Sequence, residues 1–570
     1  MEGRGALRGW CYIAWAAWTL AATPAAAQSD VPPVASFDYV AYSGTPDAES
    51  AVAGPGDFAN PVLPGFQPDP SIVRVGDDYY LVNSTFSWFP GLPVYHSRDL
   101  VHWRQIGNAI DRPSQLTIGK VGVTRGLFAP TISYEGGRFY IVNTCIDCGG
   151  NFILTADDPA GPWSDPHWLD FGGIDPSLFV DDDGKAWIAY NDAPPGPPEY
   201  DGHRALWLQQ IDLAAMKMAP TRTLLVDKGV HAADKPVWAE GPHIYKVGRH
   251  YYLTAAEGGT ADQHSQTIYR AEAVTGPYRP GPTNPILTQR DLPEDRPWPV
   301  QATGHADFVQ IADGSWWAVF LATRPYAGQQ TNLGRETFLL PVQWKDGWPL
   351  ILPSGTAIAP TGRRPALPAF AGDTLGQWRD DFDDPRLALD WMMLRTPQGR
   401  AWWSLSSSKG ALQLTARPVA AGSLDQPSFV GKRLRHHDAV FEARVTFAPT
   451  ATGDHAGLLA LTDENHFLFF GRERLAGGDA IVLRRRGAAT EPAEGVVVKQ
   501  ATLGARPAAA IDLQIRLNRD KAALQWRAAG ATDWQTLAAD VDASVLATVG
   551  AGLFTGAVIG PYAARTDARP

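Results

Sequence analysis

Asp69, Asp175 and Glu240 are far apart in the chain, yet each sits at the head of a copy of one recurring pattern. The copies are QPDPSIVRVGDDYYLV, FAPTISYEGGRFYIV, GIDPSLFVDDDGKAWIAY, AEGPHIYKVGRHYYLTA and GHADFVQIADGSWWAVF. Aligned on their apolar stretches, they place Asp69, Ala129, Asp175, Glu240 and His305 at one shared position. A single Asp-Pro usually means a capped turn. Three aligned acids mean more, because unpaired buried carboxyls cost stability and persist where chemistry uses them. Cleaving a glycosidic bond needs one carboxylic acid to protonate the leaving oxygen and a second carboxylate to activate water or attack carbon. A like-charged neighbour such as Asp175 would push a Glu upward and keep it protonated. Glu240 therefore reads as the acid, and Asp69 as the group that acts on water.

Such acids can meet only if the repeats are equivalent in space. Each copy is an apolar stretch, a turn at Gly76, Gly137, Gly184, Gly248 or Gly314, and then aromatic residues such as Tyr79-Tyr80 or Trp316-Trp317, which is a hairpin signature. Repeats roughly 45–65 residues apart have the size of a four-stranded propeller blade. The expectation is all-β: a five-bladed β-propeller over residues 55–350, with the acids on innermost strands around the axis. A sandwich built from the same strands would leave the residue-for-residue alignment unexplained. Residues 351–376 are rich in Pro and Gly and read as a connector, and residues 28–54 read as a linker. From residue 377 to 570, segments such as AVFEARVTF, HFLFFGRE and IDLQIRL predict a β-sandwich.

Composition narrows the ligand. A net charge of -11, with Arg484-Arg485-Arg486 the one basic run, argues against nucleic acid. The 21 Trp, 17 Tyr and 22 Phe suit stacking on the C–H face of a sugar, although most such aromatics in a β protein are core. Of the 3 Cys, Cys145 and Cys148 form a lone CxxC that reads as a local disulfide or two idle thiols, not as half of a zinc site. Residues 1–27 read as a signal peptide: Arg4 and Arg8, an apolar run, then Ala25-Ala26-Ala27. The expected mature chain is secreted or periplasmic, with no membrane span after cleavage.

The segments PVLPGFQPDPSIVRVGDDYYLVNSTFSWFPGLPVYHSRDLVHW, GLFAPTISY, GGIDPSLFVDDDG, WAEGPHIYK, TGHADFVQ and LGRETFLLPVQWKDGWP resemble glycoside hydrolase family 43, the five-bladed group of β-xylosidases and α-L-arabinofuranosidases. That resemblance implies inversion, with Asp69 as general base, Asp175 as modulator and Glu240 as general acid. It also implies that Phe86 and Phe128 wall the sugar and that Arg335 hydrogen-bonds its hydroxyls. His305 would lie beneath the pocket, where some members hold calcium; no other cofactor is required. The C-terminal domain resembles the concanavalin-like jelly roll of the β-xylosidase branch, which lends a residue to the pocket rim. Two departures stand out: Phe128 replaces a Trp, and Val558 stands where relatives tend to carry an aromatic, which puts closure of the pocket in question. The resulting expectation is an exo β-xylosidase acting on β-1,4-xylo-oligosaccharides. An α-L-arabinofuranosidase acting on arabinoxylan and a non-catalytic sugar-binding propeller are the alternatives. Oligomeric state is left open, a homo-oligomer included.

Overall fold

The computed structural model describes residues 31–50, 54–399, 401–405, 407, 410–504, 507–550, 552 and 554–566. The expected signal peptide lies outside them. Among the described residues no helix is long and apolar enough to cross a membrane.

Five antiparallel sheets form the propeller. Their innermost strands are Ser71–Val75, Thr131–Glu135, Ile174–Val180, Glu240–Val247 and Gln301–Gln310. Each pairs with the next strand in sequence, and the sheets build outward to four or five strands. The innermost strands neighbour one another in order, and the fifth meets the first. Hydrogen bonds close that ring: Ser71 Oγ and the Ile72 amide both donate to Asp307, and Asn60 exchanges two bonds with Leu339.

The hairpins form where the glycines predict. Gly76 and Gly248 have φ of 63° and 61° with open space around a would-be Cβ, so backbone conformation alone selects Gly there. The aromatics that follow pack between blades, as with Tyr80 against Phe139 (5.0 Å between centroids) and Phe179 against Tyr251 (6.1 Å). Burial of such rings is the main force holding adjacent blades together. Cys145 and Cys148 form a disulfide.

The C-terminal domain is a two-sheet sandwich, with one sheet of eight strands and one of seven. Here the expected linker over residues 28–54 needs correction. Val34–Thr45 is a strand in the eight-stranded sheet, paired with Leu412–Thr415 on one side and Asp438–Thr446 on the other. Its Phe37, Val40 and Tyr42 enter the sandwich core. From Val34 onward the chain thus runs through the sandwich, crosses to the propeller and returns. The connector over residues 351–376 is also less irregular than expected, since Thr361–Arg363 pairs with Asp57–Ala59. A further short ladder, Trp88–Phe89 with Met393–Leu394, ties blade one to the sandwich side.

Candidate active site

The heads of the innermost strands converge on a cavity of about 470 Å³, within the usual range for small-ligand sites. Asp69, Asp175, Glu240, His305, Phe86, Phe128 and Arg335 all line it. All seven residues singled out from sequence are therefore brought together.

One detail of the repeat alignment is corrected. The first fully paired inner-strand residues are Ser71, Thr131, Ser177, His243 and Asp307. Counting back two from each gives Asp69, Ala129, Asp175, Gly241 and His305, so Glu240 lies one residue earlier, level with Phe128 and Ile174. The backbone explains why both levels reach the cavity. Asp69, Asp175, Gly241 and His305 have φ of 51°, 54°, 56° and 53°. A left-handed residue interrupts the up-down alternation of a strand, and the pairing register shifts beside Asp175, Gly241 and His305. Two successive residues can then line one space. Left-handed non-glycine residues are strained and tend to persist at functional sites. Gly241 has a second reason to be Gly, because a Cβ there would come within 2.9 Å of the His305 ring.

The three carboxyls have different surroundings. Asp69 accepts a hydrogen bond from Ser84 Oγ and forms an ion pair with Arg335, 3.0 Å from Nη1 to Oδ1. Asp175 has no such side-chain partner among the described residues. Burial and the Asp69 charge raise it to about 7, against the opposing pull of the Gly241 amide and Arg335. Glu240 is raised well above the carboxylate range by burial first, then by Asp175 and Asp69. Arg335 thus acts on all three acids and is joined at Glu240 by Arg204, yet Glu240 stays raised and keeps its proton. A buried protonated carboxyl beside an ion-paired carboxylate is the equipment for general acid–base chemistry on a neutral substrate.

His305 is pushed down to about 4, chiefly by burial. It faces the cavity as a neutral ring. Among the described residues no cluster of three or more His, Cys, Asp or Glu could hold a metal ion, so the surroundings of His305 do not fit a calcium site.

The walls are aromatic. Phe86 meets Phe128 edge-on at 5.3 Å, and Phe554 contacts both, edge-on to Phe86 at 5.8 Å and stacked with Phe128 at 6.3 Å. The Arg335 guanidinium lies over the Phe86 and Phe554 rings at 5.6 and 5.2 Å. Phe554 belongs to the sandwich side of the chain, which therefore completes the wall. The expectation attached to Val558 is corrected accordingly: Val558 is buried in the hydrophobic core, and the aromatic stands four residues earlier. Phe554 was missed in the sequence, although an aromatic between Gly552 and Gly556 was a usable sign of a loop anchor. Trp238 and Arg204, the guanidinium 4.3 Å above the indole, line the Glu240 side and were also missed.

A five-bladed propeller with acids crowded at one end of its axis defines a hydrolase of glycosidic bonds. Residues 58–349 match the model for glycosyl hydrolases family 43, and residues 379–569 match the β-xylosidase C-terminal concanavalin A-like domain. The chain belongs to glycosyl hydrolase family 43. It is 41% identical over 441 residues to a non-reducing end α-L-arabinofuranosidase of Bacteroides ovatus, covering 75% of this chain and 78% of that one. To a xylosidase/arabinosidase of Butyrivibrio fibrisolvens it is 40% identical over 412 residues, 71% and 78% of the two chains. A solved family 43 structure from a capybara gut metagenome superposes with a TM-score of 0.84 at 34% identity, over 94% of this chain and all of the other.

Proposed function

We propose that the protein is an inverting, exo-acting pentosidase that releases terminal xylose from β-1,4-xylo-oligosaccharides. Glu240 is the general acid, Asp69 the general base that activates water, and Asp175 the group that holds Glu240 protonated. The observation that carries this reading is the unequal sharing of Arg335, which pairs with Asp69 and leaves Glu240 raised. Arg335 also turns toward the sugar space, and Phe86, Phe128 and Phe554 exclude water around the bond to be broken. A chain of net charge -11 with an aromatic-walled cavity suits a neutral sugar. Export to the periplasm or medium, where such oligosaccharides occur, belongs to the same reading.

A second reading, release of α-L-arabinofuranose from arabinoxylan, is favoured by the name of the first relative above, while the name of the second covers both activities. Purified protein incubated with p-nitrophenyl β-D-xylopyranoside and p-nitrophenyl α-L-arabinofuranoside decides between the two: faster release from the xyloside supports the first, and the reverse rate order supports the second. If neither substrate, xylobiose nor arabinoxylan were cleaved, a non-catalytic sugar-binding role would replace both. Proton NMR of the first-formed sugar from p-nitrophenyl β-D-xylopyranoside, which releases a single xylose, tests inversion; α-xylose is expected, and initial β-xylose would contradict it.

A further inference from the structure

An inverting glycosidase holds its base and its acid on opposite faces of the sugar, because water attacks from one side while the leaving oxygen departs on the other. With Asp69 as base and Glu240 as acid, the unit to be released lies between them. The chain that leaves must extend past Glu240, since an acid protonates an oxygen within hydrogen-bond reach. The cavity wall on that side is made by Arg204, Trp238, Gly259 and Thr260. Trp238 stands two residues before Glu240, and Gly259 and Thr260 follow the strand whose Ala256 pairs with Glu240. The charge of Arg204 is felt at Glu240.

Three short connections are knitted together to build this wall. The Trp238 amide donates to the Gly202 carbonyl (2.9 Å), the Gly258 amide to the Val237 carbonyl (2.9 Å), and Tyr200 Oη to the Pro236 carbonyl (2.8 Å). Gly202 has φ of 79°, and a Cβ there would come within 3.0 Å of the Val237 side chain, so glycine lets the connections approach this closely. Trp238 itself has φ of 53°. That is a strained conformation for a bulky residue, of the kind that persists where a site needs it.

The wall presents a guanidinium held over an indole, with Arg204 Cζ 4.3 Å from the Trp238 ring centroid. Arg204 is half-buried. Unlike Arg335, it has no hydrogen-bond or ion-pair partner among the described residues, and its unpaired nitrogens reach solvent. Its donors are therefore open to whatever enters the cavity beside Glu240. A planar fork of N–H donors suits two neighbouring hydroxyls of a sugar ring.

We propose that Arg204, held by Trp238, is the specificity-determining residue of a leaving-group subsite, hydrogen-bonding the hydroxyls of the xylose unit beyond the scissile oxygen. The subsite rests on the proposed pentosidase reading, with Glu240 as the acid. It favours an oligosaccharide over a xyloside whose leaving group carries no sugar ring.

The test compares xylobiose with methyl β-D-xylopyranoside. Both release an alkoxide that needs the proton of Glu240, but only xylobiose has a second ring. Arg204→Met should lower kcat/KM for xylobiose about tenfold, the size of one hydrogen bond, and change that for the methyl xyloside less than about twofold. Arg204→Lys, which keeps a charge and donors, should recover part of the loss. Melting curves verify that the variants fold; if only the Lys variant does, a smaller loss confined to xylobiose is expected of it. Equal losses on the two substrates would mean that Arg204 acts through Glu240, which would overturn the subsite and leave the pentosidase reading standing. An unchanged kcat/KM for xylobiose would overturn it as well. If the parent cleaved neither substrate, both readings would fall.

Discussion

At the propeller axis three buried carboxyls share Arg335, whereas at the seam with the sandwich Asp47 and Glu336 share Arg324, with His437 beside them. The seam cluster is matched. Burial alone would raise Asp47, but the His437 hydrogen bond and the Arg324 charge outweigh it and hold it down at about 2. Glu336 takes both remaining guanidinium bonds and the Gly65 amide. At the axis the three acids outnumber the cations that act on them, Arg335 and, at Glu240, Arg204, and the surplus appears with burial as Asp175 raised to about 7 and Glu240 raised well above the carboxylate range. Similar residues thus differ in state: the matched set joins the propeller to the sandwich through Asp47 and His437, and the unmatched set holds a proton, which under the proposed function a leaving oxygen would take. The two sets are one residue apart in sequence, at Arg335 and Glu336.

The comparison can be broken at several points. Arg324→Ala strands the fully buried Glu336 and the half-buried Asp47 and should cost about 3–5 kcal/mol of stability in a denaturant titration; a loss under 1 kcal/mol would show that the seam is not held by its charges. Asp69→Ala should lower xylobiose turnover at least about 10²-fold without a comparable loss of stability. Wild-type turnover in that variant would remove Asp69 from the chemistry.

Smaller effects concern pH. Because the folded state raises Asp175, it binds more protons than the unfolded chain between 3.8 and about 7, and stability from this site falls as pH rises through that window. Asp47 has the reverse sign: its contribution is present above 3.8 and is lost as pH falls toward about 2. Asp175→Asn should therefore raise the melting temperature at pH 8 more than at pH 4.5. An equal shift at both would mean that Asp175 is not under charge stress. Phe554→Ala, which opens the wall without touching an acid, should raise KM for xylobiose several-fold and change kcat less; a kcat effect as large as that of Asp69→Ala would place Phe554 differently from this account.

Much of this was readable from local signals. Hairpin glycines and the aromatics that follow them repeat because each blade meets the same local demands, so five blades and four cavity residues, Asp69, Asp175, Glu240 and His305, could be read one copy at a time, whereas Phe86, Phe128 and Arg335 were legible through the family resemblance. The displacement of Glu240 was also present in the sequence: aligning on Pro70, Pro130, Pro176 and Pro242 puts Gly241, not Glu240, opposite Asp69 and Asp175. Aligning on acid type hid it. The strand Val34–Thr45 was missed because its partners lie in the far half of the chain, although the alternation of Phe37, Tyr39 and their polar neighbours hinted at it. The glycines around Phe554 could mark a loop anchor, but that this ring reaches the cavity depends on two domains meeting, which no local pattern encodes.

The claim on which the rest depends is that Glu240 delivers the proton to the leaving oxygen. The direct test compares Glu240→Gln with the parent on two xylosides of unlike leaving group. Xylobiose, whose sugar alkoxide needs that proton, should lose at least about 10²-fold in kcat, and p-nitrophenyl β-D-xylopyranoside, whose phenolate leaves unaided, should lose much less. Equal losses on both, or full activity on xylobiose, would contradict the account.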